Sequence, residues 1–316
     1  MTLSIALDIG GTKTTLGFID HTTKKVLKKI TDPTVTGLSS FPLFIGNLIK
    51  TAVKIAKEEA YSLDPRVCIA LPGNFRMGHD ISIKKGSARQ LIHENEHFFD
   101  LNITPWLTQY FPENLSLFAI NDAMAQAVGS VYTTWCDDYA NKVMLFMGPG
   151  TGLGGAIIKI GDNREDVTFI TDGHIYDVMV DIQGQEWMAE DILSGRGIFE
   201  RTGVVAKALN ERDDYWNQNQ GVIHDCADCA VQIVMNIKQK TIQKKCRKNN
   251  WSPSDIELAA KIECVLLGGS IGTKGRLGQV LNQCLSHVMD GRVIQSKDTD
   301  GNALIGAVLM GHIHGI

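Results

Sequence analysis

The chain has 316 residues, of which 44% are hydrophobic and 21% charged, and its formal net charge is −4. That length is generous for one α/β core and comfortable for two lobes, and the composition is that of an ordinary globular protein. Mild acidity gives no electrostatic footprint for nucleic acid or an anionic membrane, no apolar run approaches the roughly 20 residues of a membrane span, and residues 1–7 lack a signal-peptide pattern, so a cytoplasmic protein is expected.

The opening "SIALDIGG" is an apolar run ending in an acid and two glycines, the pattern of a strand entering a tight turn. "TTLGFID" and "TKKVLKKITD" continue as antiparallel strands. Residues 41–60 carry apolar side chains at three- and four-residue intervals and fit an amphipathic helix. "VCIALPG" is a buried strand, and "LSLFAINDAMAQAVGSVY" is a strand followed by a helix with Asn121-Asp122 at the junction. The cycle then repeats: "NKVMLFMGPGTGLGGAIIKIGD" is strand, glycine turn, strand, and "VTFITDGHIYDVMVDI" is extended. Residues 187–210 and 222–247 are expected as helices separated by the polar "NERDDYWNQNQG". "ECVLLGGSIG" is a further buried strand, and "NALIGAVLMGHIH" closes the chain as a helix. A boundary near residue 121 gives two lobes with a cleft between them, a common place for a ligand.

Three glycine turns each follow an apolar strand: Gly10-Gly11-Thr12, Gly148 to Gly155, and Gly268-Gly269. Neither the Walker spacing nor the Rossmann G-x-G-x-x-G is present. Glycine allows left-handed backbone, so successive N–H groups can line a concavity that holds phosphate oxygens. Two such hairpins can clamp a triphosphate, and the third can lie against an adenine. Asp8, just before the first turn, either orders Mg²⁺ through water or caps the turn with its own carboxylate. Lys13 either neutralises phosphate or is solvated. Asp122 is either a helix N-cap or, with a nucleotide nearby, the base that accepts a hydroxyl proton during phosphoryl transfer. Asn121 can exchange hydrogen bonds with sugar hydroxyls.

The seven cysteines are an odd number scattered through apolar stretches, which suits a reducing compartment. Cys226 and Cys229 form a C-x-x-C on a helical segment, and two packed thiols are the expected outcome.

Taken in order, "ALDIGGTKTTLGFID", "PG" at 72–73, "INDAMAQAVG", "GPGTGLGGAII", "DGHI", "EDILSGRGI", "VLLGGSIG" and "NALIGAVLMG" resemble the ROK/glucokinase group of sugar kinases. The resemblance runs from residue 4 to about residue 313. It implies an α/β, two-lobed actin-like ATPase (ribonuclease H-like) fold with an interlobe cleft. Residues 1–121 would form the N-terminal lobe, with the 301–316 helix packed back on it, and residues 122–300 the C-terminal lobe. It implies an ATP-dependent hexose kinase with Mg²⁺ ordered by Asp8. Gly10, Gly11, Thr12 and Lys13 then match the first phosphate hairpin, Gly150-Thr151-Gly152 the second, and Gly268-Gly269 the adenosine motif. Asp122 matches the catalytic base. Asn121, Asp122, His174, Glu190 and, more loosely, Asn74 match sugar contacts. The expected partner is a small-molecule sugar, with no nucleic acid and no membrane, and the resemblance allows a homodimer.

Two departures stand out. The group's usual E-x-G-H reads "TDGH" here, with Thr171 in place of Glu and Asp172 following. Adjacent strand residues point to opposite faces, so Asp172 is a poor substitute. The group's cysteine-rich zinc loop is also missing, because "IYDVMVDIQGQEWMA" contains no cysteine, and no structural zinc is expected there. The divergent sugar motif supports a second reading, a sugar- and nucleotide-binding sensor with little catalysis. DNA-binding members carry a helix-turn-helix ahead of the kinase-like part, for which a first strand at residue 4 leaves no room.

Overall fold

The computed structural model describes residues 1–37, 39–73, 75–82, 102–171, 175–242, 251–297 and 301–314. The chain divides into two compact units, residues 1–129 with 300–316, and residues 130–299.

The first unit is built on a five-stranded sheet. β1 (Thr2–Ile9), β2 (Lys13–Asp20) and β3 (Val26–Pro33) form an antiparallel meander, and β4 (Ser62–Leu71) and β5 (Ser116–Asn121) run parallel to β1, giving the order β3-β2-β1-β4-β5. β1 is central, and Leu3 to Leu7 are wholly buried, as expected of a strand covered on both faces. β3 is an edge, and its exposed Lys28 and Lys29 discourage further pairing. On one face lies α1 (Ser40–Glu58), whose Phe41, Ile45, Leu48, Ile49, Ala52 and Ala56 recur at helical spacing and join the core with α2 (Thr104–Thr108). α3 (Asp122–Thr134) follows β5 directly.

The C-terminal helix Asn302–His314 packs on β1 and β4 and is buried from Asn302 to Gly311. It is apolar all round because it is covered all round. Its contact with α3 is made by glycines: a Cβ on Gly306 would meet the Ala125 carbonyl, and one on Gly129 would meet the Asn302 carbonyl. The two backbones pass too closely for any side chain at those positions.

The second unit repeats the strand plan. β6 (Val143–Pro149) and β7 (Leu153–Ile160) form a hairpin, extended by β8 (Val167–Phe169), and a separate ribbon pairs β9 (Met179–Ile182) with β10 (Gln185–Met188). β11 (Cys264–Leu267) and β12 (Val293–Gln295) run parallel to β6, so the order is β12-β11-β6-β7-β8. Both sheets therefore set a glycine-turn hairpin beside parallel strands. The helices are α4 (Ala189–Ile192), α5 (Gly195–Thr202), α6 (Ala206–Glu211), α7 (Asp213–Gln218), α8 (Gln220–Lys238), α9 (Pro253–Ala259), α10 (Gly269–Thr273) and α11 (Gly275–Val288).

The mixed α/β class with two sheets is the expected one; some elements differ. Residues 187–210 are not one helix: β10 ends there, Ser194 caps the start of α5, and Gly203 at φ 70° ends it in the left-handed region. The polar stretch expected only to separate two helices itself holds α7. Cys226 and Cys229 are buried in α8, with Sγ atoms facing the carbonyls of Ile192 and Ala189, and burial pushes the Cys226 thiol up to about 12. They are packing residues. Among the described residues no helix is long and apolar enough to cross a membrane.

Candidate active site

Parallel neighbours put the carboxyl ends of β1, β4 and β5 on one edge of the first sheet. Asp8 pairs with Ala70, and Leu71 with Asn121, so the β1–β2 turn, Gly73 and Asp122 all lie on that edge. Two strand spacings separate β1 from β5, roughly 10 Å. The carboxyl edge of such a sheet is where α/β proteins present binding groups.

The first turn is held from below by Thr34. Its hydroxyl donates to the Gly10 carbonyl at 2.7 Å, its N–H donates to the Thr12 carbonyl at 3.1 Å, and Thr14 Oγ1 lies 3.0 Å from Thr34 Oγ1. Gly10 N–H closes the turn on the Lys13 carbonyl at 2.9 Å. None of these bonds uses the N–H of Gly11 or Thr12. Asp8 is half-buried, and Thr12 and Lys13 are exposed.

At the end of β5, Asn121 is the helix cap. Its Oδ1 accepts from Ala123 N–H at 3.0 Å and Met124 N–H at 3.2 Å, and its Nδ2 donates to the Gly73 carbonyl at 3.0 Å. Both acceptor lone pairs are thus used by α3, so toward a sugar hydroxyl Asn121 has only an amide N–H to give. That leaves Asp122 free of the capping role that its position allowed. Ala123 N–H also reaches Asp122 Oδ1 at 2.8 Å. Asp122 is half-buried, and burial raises its pKa above the usual carboxylate value, against the pull of N–H bonds from Ala123 and from its own backbone.

In the second unit the Gly150-Thr151-Gly152 turn, the Gly268-Gly269 turn and Glu190 come together. Gly150 N–H closes the turn on the Gly152 carbonyl at 2.8 Å. The start of α5 docks on it: Gly195 N–H donates to the Gly150 carbonyl at 2.7 Å and Arg196 N–H to the Thr151 carbonyl at 3.2 Å. Ser194 orders that helix start, accepting from Gly197 N–H at 3.0 Å and donating to the Glu190 carbonyl at 2.6 Å. Glu190 lies on α4 with an Oε1 only 2.8 Å from where a Gly152 Cβ would sit, and its other oxygen is 3.6 Å from Arg196 Nη2. Parallel pairing of β6 with β11 sets Gly268-Gly269 beside this turn, with Gly268 N–H on the Met147 carbonyl at 2.8 Å.

The glycines work differently from the expected left-handed nest. Among the turn residues only Gly269 has positive φ, at 66°; none does in the first two turns. At three positions glycine is required by space. A Cβ on Gly155 would strike Ile175, one on Gly268 the Phe146 ring, and one on Gly269 the Pro149 carbonyl. Gly150 is the exception, with nothing within 4 Å of its would-be Cβ.

Thr171 is buried and its hydroxyl accepts from Ile157 N–H at 3.1 Å, finishing the β7 backbone. It does not stand in for the absent carboxylate. Asn74, Asp172 and His174 lie outside the described residues. Thr34 was not singled out from sequence, and Ser194 and the start of α5 entered only within the "EDILSGRGI" motif, with no role assigned. Ser194 ahead of Gly195 is a recognisable N-cap signal, whereas the hold of Thr34 on a turn 24 positions earlier is a tertiary fact.

The fold and its two turn-bearing sheets define an α/β protein whose polar groups collect at the carboxyl edges of repeated sheets. Residues 4–312 match the ROK family, and the chain belongs to it. It is 27% identical over 281 residues to the N-acetylmannosamine kinase of Escherichia coli O1:K1 / APEC, covering 85% of this chain and 83% of that one. Among solved structures it is similar to a ROK hexokinase from Thermus thermophilus, at a TM-score of 0.65 and 18% identity over 98% of each chain. It is also similar to a ROK family glucokinase from Streptomyces griseus in complex with glucose and AMPPNP, at a TM-score of 0.57, 18% identity and 98% of each chain.

Proposed function

We propose that the protein is a sugar kinase that transfers a phosphoryl group from ATP to a hydroxyl of a hexose or hexosamine. The observation that carries this reading is Asp122: a half-buried carboxylate of raised pKa at the carboxyl edge of β5, relieved of capping by Asn121. A general base benefits from a proton affinity above that of a solvated Asp, and Ala123 N–H on Oδ1 leaves the second carboxylate oxygen to take the proton. Asp122 takes the hydroxyl proton as the phosphoryl group arrives, and Asn121 keeps it in place by fixing the first turn of α3.

Triphosphate oxygens would be held by the Gly10–Lys13 and Gly150–Gly152 turns, whose carbonyls are taken by Thr34 and by α5, so that N–H groups face outward. Gly268 and Gly269 would flank the adenosine. The half-buried carboxylate beside the first turn is the hard oxygen donor that Mg²⁺ prefers, so Asp8 would hold that ion through water; when bound, it neutralises phosphate charge. Asn74, His174 and Glu190 complete the proposed sugar contacts, with Asn121 as a donor only. A cytoplasmic location and a homodimer accord with this reading.

ADP release with Mg-ATP tests it across glucose, mannose, N-acetylmannosamine, N-acetylglucosamine and simple polyols. Turnover on one sugar class, lost in Asp122→Asn, is the expected result. Binding of sugar and ATP without turnover on any compound would favour the sensor reading that the Thr171 departure supports.

A further inference from the structure

At the opposite edge of the first sheet from the glycine turn, four segments bring four side-chain atoms to one point. Asp64 Oδ2, near the start of β4, lies 3.4 Å from His21 Nδ1 and 3.3 Å from His312 Nε2. Ser4 Oγ, on β1, lies 3.5 Å and 3.4 Å from the same two nitrogens. The His21, Asp64 and His312 ligand atoms all lie within 4.8 Å of one another.

These separations are long for hydrogen bonds between such groups. These four separations match edges of a coordination tetrahedron, since bonds of about 2.0–2.1 Å from a tetrahedral ion put its ligand atoms about 3.3–3.4 Å apart. We infer that Ser4, His21, Asp64 and His312 form a binding site for a divalent transition-metal ion of the zinc type, separate from the kinase site. Two imidazoles and a carboxylate are the donor set such an ion selects over Mg²⁺.

The surroundings orient the donors. Asp64 Oδ1 accepts from Arg66 N–H at 2.8 Å and from its Nε at 3.3 Å, which turns Oδ2 toward the histidines. Arg66 Nη1 also donates to the Gly311 carbonyl at 2.8 Å, holding the chain next to His312. Ser4 and Asp64 are buried, while the His21 side chain is 40% exposed and leaves a route in. A bound ion would staple β1, the end of β2, the start of β4 and the C-terminal helix.

Lys24 is the competitor. Its Nζ lies 2.9 Å from His312 Nδ1 and donates to the His21 carbonyl at 2.5 Å. An ammonium donating to Nδ1 leaves the ring proton on Nε2, the nitrogen that the ion needs. Lys24 and the ion therefore oppose one another through the two faces of one imidazole.

The full chain, stripped with a chelator and returned to metal-free buffer, is titrated with Zn²⁺ by calorimetry, with Mg²⁺ as control. The expected result is one Zn²⁺ per chain, a rise in Tm of about 5 °C or more at saturation, and a tetrahedral d–d spectrum with Co²⁺. His21→Ala, at an exposed position that does not endanger folding, should weaken binding on the order of 10- to 100-fold, as should Asp64→Asn. Lys24→Met should bind Zn²⁺ more tightly than the parent. No Zn²⁺ binding by the parent chain overturns the proposal, and so does unchanged binding in His21→Ala, which would move the ion to another site such as the exposed Cys136.

Discussion

Asn121 Nδ2 donates to the Gly73 carbonyl across 3.0 Å and ties the exit of β5 to the exit of β4. The same side chain caps α3, so one residue both starts the helix and holds the neighbouring loop. Asn121→Ala should cost about 1 kcal/mol from the lost cap, with a further loss from the loop tie. Its turnover should fall only in part. Asp122→Asn, by contrast, should lower turnover by about 10²–10⁴-fold while leaving nucleotide affinity close to that of the parent. A parallel comparison of Tm and steady-state kinetics separates the two.

The raised pKa of Asp122 has opposite consequences for activity and stability. As a base it must be deprotonated, so turnover should decline as pH falls, with a midpoint above the ordinary Asp value of 3.8. For stability the native state holds the proton more tightly than the unfolded chain does. Stability is therefore lost as pH rises from the unfolded value through the folded one, and the loss persists at neutral pH. Asp122→Asn removes that cost and should raise Tm at pH 7 while lowering turnover as above. A lower Tm in this variant would show that the carboxylate is structural.

Gly150, in the β6–β7 turn, and Gly155, inside β7 opposite Met147, should respond oppositely to an added methyl. Gly150→Ala meets nothing within 4 Å and should leave Tm unchanged. Its effect should fall on the nucleotide KM. Gly155→Ala drives a methyl into Ile175 and should destabilise by about 1–3 kcal/mol. Equal nucleotide KM values for Gly150→Ala and the parent would argue against phosphate contact at this turn.

The crossing of α3 with the C-terminal helix depends on Gly306. Gly306→Val places a branched side chain against the Ala125 carbonyl and should cost at least about 3 kcal/mol, read as loss of soluble yield or a Tm lowered by several degrees.

Burial raises the pKa of Cys226, to about 12, and that of Cys229, so neither thiol ionises at neutral pH. In the folded protein a thiol reagent should label the exposed Cys136 and spare this pair. Rapid labelling of Cys226 or Cys229 without unfolding would contradict the packing described.

Local chemistry was readable from the residues. Apolar runs that end in glycines marked the strands and their turns, and "AINDAM" marked a strand-to-helix junction with a carboxylate, because strand period and turn chemistry depend on near neighbours. The roles inside that junction were not readable. Either Asn121 or Asp122 can cap a helix, and the choice was made by the Gly73 carbonyl brought alongside by parallel pairing of β4 with β5. Backbone freedom was expected of the turn glycines and holds for Gly269, while Gly155, Gly268 and Gly269 are also required by close approach of Ile175, Phe146 and Pro149, which sequence spacing cannot show. The His21–Asp64–His312 cluster lies at the far limit of legibility. Its members belong to β-strand ends and a helix distant along the chain, and only the pairing of β2, β1 and β4 in one sheet, with the C-terminal helix packed on it, puts their donor atoms within 4.8 Å of one another.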